Sequence, residues 1–178
     1  MPETTIAFVI DRWRVLDGAG VPAGSVLDAN PLAGGAPPGA GRVWIVRSGW
    51  NPSGDAPPVW SAGPRAAFES FAAAFARVAA HTGAVPVLWP RAGDVVSDAP
   101  GLLMFLRSGA GTGWRFLLDP FALIAGSMLA NTDDHVDRLM AFAGHGAVWG
   151  VAKRVGGPAL PASPAPLVEI RCDPWETA

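Results

Sequence analysis

The chain has 178 residues, half of them apolar and only 16% charged, with a formal net charge of -2. That length favours a single domain with a real core, and that composition excludes a disordered chain. The balance of charge argues against a general binder of nucleic acid or of a membrane surface.

The chemistry available is narrow. Lys153 is the one lysine, so arginine carries nearly all the positive charge. Cys172 is the one cysteine, which gives no intrachain disulfide and no thiolate metal cluster and suits a reducing cytoplasm. The start, "MPETTIAFVIDRW", lacks the basic residues and long apolar run of a signal peptide. No apolar run reaches the roughly 20 residues that span a bilayer.

In chain order, "TTIAFVID" reads as a strand with Asp11 at its end. Residues 17–41 are a long loop broken by Gly and Pro. "RVWIVRSGW" is a second strand whose Val43 to Val46 run does not alternate, as expected of a strand buried on both faces. "NPSGDAPP" is a polar turn. Residues 61–83 form the clearest helix, with Ser61 or Gly63 as cap, Pro64 in the first turn and Gly83 as stop. Its apolar stripe is Phe68, Phe71, Phe75 and Val78.

The third strand is 84–89, and a short helix capped by Ser97 or Asp98 follows. "GWRFLLDP" is the fourth strand. Its tip raises a question, because Asp119 closes an apolar run just before Pro120. A helix over 131–146 opens at Asn131 or Thr132, with Asp133 and Asp134 near its positive end. "AVWGVAKRV" is the fifth strand, 156–166 a Pro-rich loop, "PLVEIRC" the sixth strand, and 173–178 a tail. From Val43 onward strands and helices alternate, which predicts α/β packing around a parallel sheet.

On the runs "AAFESFAAAFARVAAHTGAVPVLWP", "LLMFLRSG", "GWRFLLDPFAL", "AVWGVAKRV" and "LVEIR", residues 42–172 resemble the second half of the xylose-isomerase-like TIM barrels. That group includes the sugar phosphate isomerases/epimerases and the type 2 apurinic endonucleases. The resemblance implies an incomplete or degenerate (β/α) TIM-like barrel with about six mainly parallel strands. A full barrel of that kind needs roughly 250 residues. The barrel is therefore expected to be open, or closed by another chain, which allows a homo-oligomer.

In that family a Glu, an Asp, a His and a final Glu at the late strand ends hold a divalent ion, and the ion polarises a sugar carbonyl or hydroxyl. Here Trp89 stands in place of the first Glu, and Asp119 matches the Asp. Pro120, Phe121 and Ala122 supply no following His, and "VWGVAKR" shows Trp149, Ala152 and Lys153 where a His is expected. Glu169 matches the last Glu. The resemblance thus makes Asp119 and Glu169 the metal ligands for Mn, Mg or Zn. An active member would take Asp119 and Glu169 as catalytic residues, joined by Lys153, a strand-end amine suited to a general base or Schiff base, or by Asp11.

Trp89 and Trp149 would face one mouth and stack on a sugar ring, or fill a dead site. Arg47 opens "RSGW", where the Ser48 and Gly49 amides suit an anion. His81, His135 and His145 are not spaced for a shared metal.

Three functions follow. The first is a divergent, non-catalytic relative of the sugar phosphate isomerases/epimerases that takes a sugar or sugar phosphate. The second is an active, metal-dependent member. The third is an interaction scaffold whose open barrel edge pairs with a partner.

Overall fold

The structure, a computed structural model, describes residues 6–33, 38–51 and 56–175. Parts of four expectations lie outside those residues: the first two positions of the N-terminal strand, 34–37 of the loop, 52–55 of the polar turn, and 176–178 of the tail.

Eight strands close into one barrel in sequence order: β1 (Ile6–Asp11), β2 (Arg14–Asp17), β3 (Pro22–Val26), β4 (Val43–Val46), β5 (Val85–Leu88), β6 (Arg115–Leu118), β7 (Val148–Arg154) and β8 (Leu167–Cys172). β2 runs antiparallel to both of its neighbours. Every other pairing is parallel, including β1 with β8, which seals the barrel. Among the described residues there are three α-helices: α1 (Ala62–Thr82), α2 (Ala99–Arg107) and α3 (Thr132–Met140).

This corrects the expected fold class. The molecule is a closed, eight-stranded mixed β-barrel with few helices, not an incomplete TIM-like barrel of about six mainly parallel strands. The two strands that complete it lie in 14–26, mostly inside the stretch expected to be loop. A two-residue turn, Arg12–Trp13, reverses β1 into β2, with Arg12 at φ +54°. In β3, Pro22 sits at the first position, where a ladder tolerates it. Gly24 is required by close approach, since a side chain there would run into the Val43 carbonyl of β4.

Closure also removes the open edge on which the scaffold reading relied, because every strand has two neighbours. No second chain is needed to complete the barrel.

Two apolar layers explain the unalternating strands. Ile10, Val15, Ile45, Val87, Leu117, Val168 and Ile170 point into the barrel and pack together. Their alternates Trp44, Val46, Leu88, Phe116, Leu118 and Val151 point outward and pack with the helices. A strand buried on both faces has no polar face to alternate with.

Phe68, Ala72, Phe75 and Ala79 form the buried stripe of α1, so the expected Val78 faces out instead, 45% exposed. Gly83 ends α1 in the left-handed conformation at φ +73°. Asp98 caps α2 by accepting the Gly101 amide at 2.7 Å. No helix among the described residues is long and apolar enough to cross a membrane.

Candidate functional site at the barrel mouth

Seven strands point the same way, so their C-terminal ends converge on one mouth. The inward alternation continues past each strand end and delivers Arg47 after β4, Trp89 after β5, Asp119 after β6 and Arg154 at the end of β7. The loop after β5 adds Arg91 and Asp94, and the segment after β8 adds Asp173 and Trp175.

These side chains form one connected network. Asp119 is buried and both of its oxygens are engaged: Oδ1 accepts the Ala122 amide at 3.1 Å. Oδ2 accepts Trp89 Nε1 at 3.2 Å and Arg154 Nη2 at 2.9 Å. Asp173 repeats the arrangement. Its Oδ1 accepts the Trp175 amide at 3.0 Å. Its Oδ2 accepts Arg154 at 3.1 Å and Arg91 at 2.6 Å. Each aspartate precedes a proline, so "DP" twice ends a strand, folds back on its own backbone amide and offers the other oxygen to Arg154.

The third pair is Arg47 with Asp94, made through both Nε, at 3.0 Å, and Nη2. Burial is the largest influence on Asp94 and pushes its carboxyl above the ordinary value of 3.8. The hydrogen bond and charge of Arg47, the charge of Arg91 and the Ser48 amide pull the other way without cancelling it.

Tryptophans frame the charges. Arg47 lies 4.4 Å from the Trp50 ring, and Asn30 holds the Trp50 backbone from both sides. Trp175 sits in the centre. Arg47 and Arg91 lie 5.5 and 5.7 Å from its ring. Trp89 and Trp13 meet it edge-on at 5.2 and 5.9 Å.

Of the residues expected from sequence, Asp119, Trp89 and Arg47 meet here. Trp149 does not. It enters β7 at the opposite end of the barrel and packs tilted against Phe8, ring centroids 4.7 Å apart. Glu169 and Lys153 alternate with inward residues and so lie on the outer wall, side by side in register. Glu169 pairs there with Arg171 at 2.7 Å. The barrel wall therefore separates Asp119 from Glu169 and Lys153. Asp11 pairs with Arg14 on the exposed rim.

The expected divalent ion fails on its donor set. Asp119 and Glu169 lie on opposite sides of the wall, and Asp119 already accepts three hydrogen bonds. Among the described residues no three His, Cys, Asp or Glu side chains cluster as a metal site would need. The amide expected to hold a foreign anion at Ser48 is given to Asp94.

Arg91, Asp94, Arg154, Asp173 and Trp175 were missed from the sequence. The available signal was positional: each stands within six residues after an apolar strand run, where a parallel barrel gathers its polar groups. No family model, curated protein or solved structure matches the chain.

Proposed function

We propose that the protein is a non-catalytic binding barrel that takes a neutral, hydroxyl-rich ring of the sugar class at the C-terminal mouth. The observation that carries this reading is the pairing of three arginines with three aspartates beneath four tryptophans. Counted by charge this network is balanced among the described residues, Arg47, Arg91 and Arg154 against Asp94, Asp119 and Asp173.

A network paired in this way offers donors and acceptors side by side, each charge beside its opposite. Hydroxyl groups can use both kinds at once, and indole faces suit the C–H side of a sugar ring. A sugar phosphate is the weaker fit, because each guanidinium already holds a carboxylate and an entering phosphate must displace one.

Catalysis is disfavoured by the same pairing. A general base must be free to take a proton from substrate, whereas the Asp119 carboxylate is buried and held by the Arg154 guanidinium, with Ala122 and Trp89 donating to it as well. With this reading goes a cytoplasmic setting, which the lone thiol of Cys172 suits.

The test is thermal unfolding of the full chain with a panel of neutral mono- and disaccharides and their phosphates, each with EDTA and with Mn²⁺, Mg²⁺ or Zn²⁺. A neutral sugar is expected to raise the midpoint with or without EDTA. The rise is lost in Trp13→Ala and kept in Glu169→Ala. A rise that needs metal, or that Glu169→Ala abolishes, overturns the reading, as does the absence of any shift.

A further inference from the structure

The eight tryptophans do not sit equally well. Three buried ones have satisfied indoles: Trp44 Nε1 donates to the Gly41 carbonyl at 3.1 Å, Trp114 to Ala72 at 3.2 Å and Trp89 to Asp119 at 3.2 Å. Trp175 Nε1 is equally shut off from solvent, yet among the described residues it has no hydrogen-bond partner. A buried donor left unmade carries a real cost, and native cores avoid it. The seat of Trp175 is thus good for a ring and poor for an indole.

Its attachment is also unlike that of a core residue. Trp175 belongs to no strand or helix. It is carried two residues beyond Asp173, whose carboxylate is clamped by Arg91 and Arg154. Pro174 stiffens the short arm between them. The anchor is strong, and the ring it carries leaves its own N–H unmatched among the described residues.

We propose that Trp175 is an internal stand-in for the ligand ring, and that a ligand enters the mouth by displacing it while Asp173 stays clamped. The inference rests on the mouth being the binding site. Two guanidiniums flank the ring seat at 5.5 and 5.7 Å, and Trp89 and Trp13 wall it edge-on. A ring with hydroxyls would keep those contacts and supply the polar partners that the indole lacks. Access then depends on the fraction of molecules with Trp175 out, which divides the intrinsic affinity.

The experiment is fluorine NMR on the full chain carrying 5-fluorotryptophan, with the Trp175 signal assigned from Trp175→Phe. Free protein is expected to show the Trp175 signal exchanging between a seated and a solvent-exposed position. A neutral sugar that binds shifts it to the exposed position. Trp175→Ala binds that sugar about ten-fold more tightly. Trp175→Phe, which keeps a ring and drops the unpaired N–H, binds it no more tightly than the wild type.

A Trp175 signal without exchange, or one unmoved by a bound sugar, overturns the proposal, as does equal affinity in Trp175→Ala. If no sugar binds either protein, the sugar reading fails by itself, and exchange of the Trp175 signal in the free chain still decides whether the finger leaves its seat.

Discussion

The two ends of the barrel are closed by different means. The N-terminal end is closed by apolar rings, Phe8 against Trp149 at 4.7 Å. The C-terminal mouth is closed by ion pairs and indoles, with Asp94, Asp119 and Asp173 nearly or fully buried. An apolar plug needs only shape, and its loss costs area. A polar plug needs every partner in place, because a buried charge without its partner is far worse than no charge at all. The difference teaches that the two ends fail differently, the apolar end by losing buried area and the polar end by leaving a charge unpaired.

The largest effect is expected from breaking the polar end. Asp119→Ala removes the shared partner of Trp89 Nε1 and Arg154, and should cost about 3–5 kcal/mol in denaturant unfolding, the range for a buried pair that loses one member. A cost under about 1 kcal/mol would show that the mouth is wetter and looser than its geometry implies. The apolar end should break more gently. Trp149→Ala removes a half-buried ring and should cost roughly 2 kcal/mol, below the range for fully buried aromatics. Its cost should be the same at low and high salt.

The smallest effect sharpens the comparison through pH. Burial raises the Asp94 carboxyl, so the folded protein holds that proton more tightly than the unfolded chain does. The group therefore costs nothing at pH well below 3.8 and costs stability increasingly as pH rises from 3.8 through the raised folded value. Asp94→Asn lacks this titration. Wild-type stability relative to the variant should fall as pH rises across that window. A difference that is flat, or that rises with pH, would show that Arg47 outweighs burial.

Much of the skeleton was legible. Six strands and the three α-helices of the described residues follow from apolar runs and from caps such as Asp98 and Gly83. The antiparallel excursion was not, because β2 is only four residues long and β3 begins with Pro22 and contains Gly24, both of which read as loop. Missing two strands turned a closed mixed barrel into an open parallel one.

The site was legible where a residue ends its own strand, as Asp119, Trp89 and Arg47 do. Its partners were not. Arg154 lies 35 residues from Asp119, Arg91 lies 82 from Asp173 and Arg47 lies 47 from Asp94. No local pattern carries pairings of that span. Glu169 and Lys153 misled for a simpler reason. A place near a strand end does not fix a direction, and one residue of register turns a side chain to the other side of the wall.

The seal between β1 and β8 has a consequence in time. Ile6 meets Leu167 and Phe8 meets Val168, so the barrel closes by joining its earliest strand to its latest. Such distant pairing makes for slow folding, because the intervening chain must be ordered before the contact rewards it. On the ribosome, β1 waits without its second neighbour until β8 has emerged. Through that interval the nascent chain exposes two bare strand edges that the finished molecule does not have, and vectorial synthesis rather than the native state is where this protein is open to aggregation.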